Sequence, residues 1–199
     1  PPYGSKFDAI NISNCKDESL QKAKRKKYKQ FTNKAPSDNY FNELIRVSKN
    51  QIIWGVNFYK YNFAGGRICW DKHGTAFGRA ELAFCSLISS VNVFDYTWNG
   101  MIQGDMKNKE QRIHPTQKPI ALYRWLLDNY AKQGDKILDT HLGSGSSAIA
   151  AYQLGYDFVG CELDKDYFQA MQKRVRQAMK QTNLFQSVEE KQAEQIKIF

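Results

Sequence analysis

Paired cysteines, long apolar runs and a full complement of acids are what this chain lacks. Its four cysteines, Cys15, Cys69, Cys85 and Cys161, stand singly. Without the close spacing that holds zinc or forms a redox motif, they read as reduced, mostly buried thiols, and no metal site is expected. The longest apolar stretches, such as residues 51–57, fall far short of the roughly 20 residues of a membrane span. No apolar run preceded by basic residues marks an export signal either. The expectation is a soluble chain with no membrane partner. There is no internal repeat. Acids number 20 against 29 Lys and Arg, a formal net charge of +9.

What is present suits a folded domain. Hydrophobic residues make up 42% of the 199, aromatics 14% and charged residues 25%, which excludes disordered and collagen-like chains. Residues 1–182 are expected to form a single domain with a polar tail over 183–199. Much of the excess charge lies in residues 16–37, where Lys16, Lys22, Lys24, Arg25, Lys26, Lys27, Lys29 and Lys34 face only Asp17 and Glu18. Nearly devoid of large apolar side chains, this stretch reads as a long exposed loop. It either solubilises the chain or contacts phosphates, for which Lys24, Arg25, Lys26 and Lys27 are the candidates.

From Ser37 or Asp38, apolar residues at Tyr40, Phe41, Leu44, Ile45 and Val47 recur at helical spacing, and residues 51–58 turn β-rich. Strands are expected at residues 67–70, 81–85 and 91–96, followed by a polar loop over 98–113 that carries Lys107, Lys109 and Arg112. A helix should follow Pro119, with Ile120, Tyr123, Leu127 and Tyr130 inward and Gln133-Gly134 at its end. The last third reads as a buried strand (136–139), a Gly/Ser loop (141–147), a small-residue helix (148–154), a second strand (156–163) and a helix from about Asp164 to Lys180 with Phe168, Met171 and Val175 inward. Strands alternating with helices predict an α/β fold with a doubly wound, mostly parallel sheet.

Three motifs carry chemistry. Asp139-Thr-His-Leu-Gly-Ser-Gly-Ser-Ser147 lies at the carboxyl end of a strand, where α/β sheets bind ligands. Gly143 and Gly145 allow close backbone approach, and the helix after them presents free N–H groups. The pattern Gly143-x-Gly145-x-x-Ala148 also fits a dinucleotide fingerprint, with Glu162 as the ribose acid, so a nicotinamide or flavin enzyme stays open. Asp164 reads more simply as the cap of the next helix. The second motif, His114-Pro-Thr-Gln-Lys-Pro119, is either an ordinary turn or a stiffened segment whose donors meet the same ligand from the other side. The third, Pro1-Pro2-Tyr3-Gly4, is either a bare terminus or a rigid turn. As a turn it offers carbonyl acceptors and a stacking face, which is what an exocyclic amino group needs when its lone pair must face an electrophile.

In this order these residues resemble the β-class amino-methylating DNA methyltransferases, and the match covers essentially the whole chain. The resemblance implies a Rossmann-like, class I methyltransferase fold with permuted motif order, and S-adenosylmethionine as cofactor. By it Pro1, Pro2 and Tyr3 look like the catalytic motif. Thr116, Lys118 and Pro119 look like the segment flanking the methionine end of the cofactor. Asp139, His141, Gly143, Ser144 and Gly145 are similar to the cofactor loop, and Glu162 to the ribose-binding acid. His141 stands where the family usually has Phe and is expected to be a packed, neutral ring. No residue precedes Pro1, so the family's strand before that motif has no counterpart, and the expectation is a truncated chain.

The implied reaction is direct methyl transfer to the amino nitrogen of a base flipped from double-stranded DNA, without a covalent enzyme intermediate. Cys15 follows Asn14, Cys69 Ile68, Cys85 Phe84 and Cys161 Gly160, so the Pro-Cys pair of carbon-5 cytosine enzymes is missing. Gly4 after Tyr3 looks like the adenine-N6 enzymes, with cytosine-N4 as the alternative. Residues 98–113, with Lys107, Lys109 and Arg112, are the candidate target-recognition segment. The resemblance further implies a bacterial or phage-encoded cytoplasmic protein, a homodimer, and a restriction endonuclease as cellular partner. A non-catalytic nucleic-acid-binding subunit of the same fold is the rival from another class.

Overall fold

The computed structural model describes residues 35–74, 78–99 and 102–196, with side chains as far as residue 182. The Pro1–Tyr3 motif and the basic side chains of residues 16–34 lie outside these. The chain divides into two units, Pro1–Val93 and Phe94–Phe199.

In the first unit, helix α1 (Asp38–Val47) begins after Ser37, with Asp38 in its first turn, where a carboxylate opposes the positive end of the helix dipole. Its apolar stripe ends on one buried side chain, Phe41, which packs with Phe63 and Phe84; Tyr40, Leu44, Ile53, Val56, Tyr59 and Tyr61 surround them. The Phe41–Phe63 rings meet edge to face at 5.1 Å and Phe63 stacks on Phe84 at 5.1 Å, geometries that favour the ring quadrupoles. Strands β1 (Ile52–Trp54), β2 (Gly66–Asp71), β3 (Ala80–Cys85) and β4 (Val91–Asp95) form one sheet in the order β1-β3-β2-β4. Both β1 and β2 pair antiparallel with β3, Ile52 and Gly66 each opposite Cys85. The β-rich reading of residues 51–58 is halved: Gly55 ends β1 and a 3-10 turn, Val56–Phe58, follows.

In the second unit, the expected polar loop after residue 98 holds a short antiparallel pair, β5 (Trp98–Asn99) and β6 (Ile102–Gln103), with Trp98 opposite Gln103. Helix α2 (Ile120–Tyr130) does follow Pro119, but its buried residues are Leu122 and Leu126, one position before Tyr123 and Leu127. It also stops at Tyr130, before Gln133. Then come β7 (Lys136–Asp139), α3 (Ser146–Gln153), β8 (Asp157–Gly160) and α4 (Lys165–Ile196). β7 and β8 run parallel, Asp139 opposite Gly160, and α3 packs against α2, β8 and α4. This β-loop-α-β unit is the α/β element read from the sequence; among the described residues, parallel pairing is found here.

Four details differ from expectation. β7 is not a buried strand: Leu138 is 45% exposed and, beside it, Val159 64%, because burial of a strand is set by what covers its faces and not by its own pattern. On α4, Tyr167 and Met171 are buried whereas Phe168 is 37% exposed, a one-residue shift that turns a side chain by about 100° round the helix. The backbone of α4 stays helical to Ile196 where a frayed tail was expected. Of the described thiols, Cys85 is buried, Cys69 is partly so, and Cys161 is exposed. Among the described residues no helix is long and apolar enough to cross a membrane.

Candidate functional site

The chain leaves β7 at Asp139, and the carboxylate at once organises the loop after it. Its Oδ1 accepts the His141 N–H at 2.9 Å and its Oδ2 the Ser147 hydroxyl at 2.5 Å, so it spans from the strand end to the first turn of α3, where a negative charge is favoured. The strand ends are stitched together beyond the ladder: Cys161 N–H donates to the Asp139 carbonyl at 2.8 Å and Leu142 N–H to the Cys161 carbonyl at 2.9 Å. Gly143 and Gly145 have φ of 53° and 75°, left-handed values that cost other residues energy. At Gly145 there is no room either, since a Cβ would lie 2.7 Å from Met171 Cγ and 2.8 Å from Val175 Cγ2. The loop is an interior feature: Ser144, Ser146 and Ser147 are all at most 5% exposed.

Glu162, just past β8, faces this loop. Its Oε2 accepts the Gly143 N–H at 2.8 Å and its Oε1 the Asp164 N–H at 2.9 Å. Asp164 caps α4, its Oδ1 taking the N–H groups of Asp166 at 2.9 Å and Tyr167 at 3.1 Å, as its ordinary reading predicts. His141 departs from expectation. It is exposed, not packed, and its Nδ1 lies 3.1 Å from the Thr140 hydroxyl.

The His114–Pro119 segment reaches the same loop. A Cβ on Gly143 would stand 3.5 Å from His114 Nδ1, so the imidazole lies directly beside the glycine turn. Its Nδ1 lies 3.3 Å from the Thr116 N, which donates to it, and 3.1 Å from the Thr116 hydroxyl. Burial pushes its pKa below the usual histidine range, against the pull of the Glu162 carboxylate, and the neutral ring packs edge to face on Tyr167 at 4.4 Å. Gln117 holds the segment's shape: its Oε1 accepts the Ile113 N–H at 2.9 Å and its carbonyl the Trp98 indole N–H at 3.0 Å. Lys118 is 8% exposed and Pro119 fully buried. Of the candidate DNA contacts, Lys107 and Lys109 are exposed, while the Arg112 guanidinium lies 4.8 Å above the Trp98 ring.

Two residues of the site were not anticipated. Arg174 on α4 donates from Nη1 to the Ser144 carbonyl at 2.7 Å and to the Ser146 hydroxyl at 3.0 Å, and from Nη2 to Glu110 Oε2 at 2.6 Å. Both side chains of the pair are nearly buried, 13% and 14% exposed. Burial pushes the Glu110 carboxyl up and the Arg174 guanidinium down, each opposed by the other's charge. Glu110 Oε1 accepts the Ile120 N–H at 2.8 Å and so caps α2. A signal was available: Tyr167, Met171 and Arg174 recur at i, i+4 and i+7 on the inward face of α4.

The strand ends thus carry two carboxylates and a glycine turn able to approach a ligand, and the segment before α2 sets a neutral imidazole beside that turn. These groups suit a ligand with a diol and a cationic amine.

A family model described as DNA methylase matches residues 3–173. The type II methyltransferase M2.DpnII of Streptococcus pneumoniae is 40% identical over 86 residues, 43% of this chain and 31% of its own. YubD of Escherichia coli (strain K12) is 37% identical over 78 residues, 38% of this chain and 34% of its own. The chain therefore spans about a third of the length of these curated relatives. A crystal structure of the M1.HpyAVI–SAM complex is 26% identical, covering 54% of this chain and 60% of its own with a TM-score of 0.40.

Proposed function

The chain belongs to the amino-methylating DNA methylase family, and on that premise we propose that it transfers a methyl group from S-adenosylmethionine to adenine-N6 of a base flipped from double-stranded DNA. One observation carries the cofactor reading: Asp139 and Glu162, at the ends of adjacent parallel strands, bracket the Gly143 turn, with His114 on its other side. Each carboxylate oxygen is engaged by a single donor among these bonds and keeps a second lone pair. Glu162 is thus suited to accept the ribose hydroxyls, and Asp139 to accept from the methionine ammonium group. Thr116, Lys118, Pro119, Ser144 and Gly145 complete the pocket wall in this reading, and the exposed His141 lies at its edge.

S-adenosylmethionine supplies an electrophilic sulfonium methyl. The chain's work is positioning, which is worth several kcal/mol of barrier when reacting atoms are held in line. In this reading the carbonyls of Pro1 and Pro2 accept the amino N–H groups of the base, leaving its lone pair to face the methyl, while the Tyr3 ring stacks on the base. Lys24, Arg25, Lys26, Lys27, Lys107 and Lys109 contact phosphates, and Arg112, stacked on Trp98, stiffens the recognition segment. A homodimer and a partner endonuclease in a bacterial or phage-infected cytoplasm accord with this reading.

The test is incubation with duplex DNA and isotopically labelled S-adenosylmethionine, digestion, and mass spectrometry of the nucleosides. Label in N6-methyladenine is expected. Label in N4-methylcytosine would select the alternative target, which the same amino chemistry supports. DNA binding without label would favour a binding subunit. Tyr3→Ala should slow labelling by about 5- to 150-fold while S-adenosylhomocysteine affinity persists, since base stacking is worth roughly 1–3 kcal/mol and acts on the base alone.

A further inference from the structure

We propose that Arg174 is a positioning residue: with Glu110 it forms one ionic clasp that holds the two arms of the cofactor site, the glycine loop and the His114–Pro119 segment, in register. This rests on the cofactor reading above.

The first arm needs such a hold. Ser144 sits between two glycines in left-handed conformation, and glycine leaves the peptide planes on either side weakly constrained by local sterics. Gly145 N–H donates to the Leu142 carbonyl at 2.9 Å, which closes the turn but leaves the Ser144 carbonyl to be satisfied from outside. Arg174 satisfies it at 2.7 Å and takes the Ser146 hydroxyl at 3.0 Å with the same nitrogen. Nη1 therefore holds the loop on both sides of Gly145 while Nη2 holds Glu110, a division between two nitrogens that a rigid planar fork provides and a lysine ammonium on a flexible stem does not.

The second arm is gripped through Glu110. One carboxylate oxygen takes Arg174 at 2.6 Å and the other takes the N–H of Ile120 at 2.8 Å, so Glu110 closes the chain around the intervening His114–Pro119 segment. Glu110 is itself fixed: its N–H donates to Gln103 Oε1 at 2.8 Å and its carbonyl accepts from Gln103 Nε2 at 2.9 Å. A single ion pair thus connects the loop bearing Gly143 to the segment bearing His114, two elements so close that a Cβ on Gly143 would stand 3.5 Å from His114 Nδ1.

Stability alone does not account for this pair. Replacing a buried ion pair by apolar side chains of similar volume is often neutral or stabilising, whereas no apolar pair reproduces the four side-chain hydrogen bonds of fixed direction made here. The two roles therefore separate in one experiment on the whole chain. The variants are Arg174→Gln, Arg174→Lys, and the apolar pair Glu110→Leu with Arg174→Met. The readouts are the melting temperature, S-adenosylhomocysteine affinity by calorimetry, and KM for S-adenosylmethionine beside kcat in methyl transfer.

The apolar pair is expected to melt below the parent, because the Ser144 carbonyl and the Ile120 N–H lose their partners, but above Arg174→Gln, which also strands the buried Glu110 charge. It should lose affinity by about 5- to 150-fold, the usual range for a coupling between a contact and a site. KM should rise by more than kcat falls. Arg174→Lys should be intermediate in affinity, and Arg174→Gln should lose both affinity and stability. An apolar pair that binds like the parent overturns the inference. Should that pair fail to fold, parental affinity in a folded Arg174→Lys overturns it, and weakened affinity there with a parental melting temperature supports it. A parent that binds no S-adenosylhomocysteine overturns the cofactor reading, and this inference with it; binding by the parent with unchanged variants overturns this inference alone.

Discussion

Gly145→Ala separates backbone strain from packing in the cofactor loop. At φ 75° a Cβ carries a strain of about 1–2 kcal/mol for leaving the right-handed regions. It also meets Met171 Cγ at 2.7 Å and Val175 Cγ2 at 2.8 Å. Val175 lies within α4, where one χ1 rotamer dominates for valine, so it cannot swing aside. Overpacking of this kind costs about 1–3 kcal/mol, and the sum is about 2–5 kcal/mol. Gly143→Ala is the internal control: φ is 53°, but the new Cβ finds His114 Nδ1 at 3.5 Å, an ordinary contact, so only the strain of about 1–2 kcal/mol remains. Urea denaturation of both variants gives the difference directly from the midpoints at constant slope. A cycle with Met171→Ala sharpens it, because removing the clashing side chain should cost about 1–3 kcal/mol less in the Gly145→Ala background than in the parent. Equal destabilisation by the two glycine substitutions, or a cycle that closes to zero, would refute the packing argument.

Two further outcomes are expected. His114 is held neutral by burial, so as pH falls below about 6.5 the unfolded chain takes up a proton that the native ring refuses, and stability should decline until the depressed native pKa is passed; in His114→Gln, urea midpoints taken on either side of about pH 6 should differ less than in the parent. Neutralising Lys24, Arg25, Lys26 and Lys27 together should weaken DNA binding on every sequence and lower the log–log salt slope by about 0.9 for each phosphate that is no longer neutralised; an unchanged slope would make residues 16–37 a solubilising segment.

What was legible in the sequence is what short-range chemistry determines. The Asp139–Ser147 loop could be read because a strand, two glycines and a small-residue helix follow one another within a few residues, and the structure closes that loop with local hydrogen bonds. Asp164 was legible as a cap for the same reason. The inward face of α2 was placed one residue off, at Tyr123 and Leu127 instead of Leu122 and Leu126, whereas on α4 Met171 is buried as expected and only Phe168 stood in place of Tyr167. Both alternatives in each helix are apolar or aromatic, so the periodic signal is flat across them and only the neighbouring element decides. His141 was misjudged because packing was carried over from the family's Phe, whereas here the ring is exposed beside the Thr140 hydroxyl.

The Arg174–Glu110 pair shows where such reading stops, and why. Glu110 alone looks like solvated charge in the polar run 107–112, and although helical spacing turns Arg174 inward with Tyr167 and Met171, nothing near it in the chain says what it meets there. Their significance lies in a separation of 64 residues closed to 2.6 Å, a pairing with no local signature. Burial makes each charge unfavourable without the other, so the two positions constrain one another far more strongly than either is constrained by its chain neighbours. The motif residues contribute the groups a ligand would meet, and those groups are readable one at a time. The geometry that brings His114 to Gly143 is held by a pair, and a pair becomes visible only once the chain is folded.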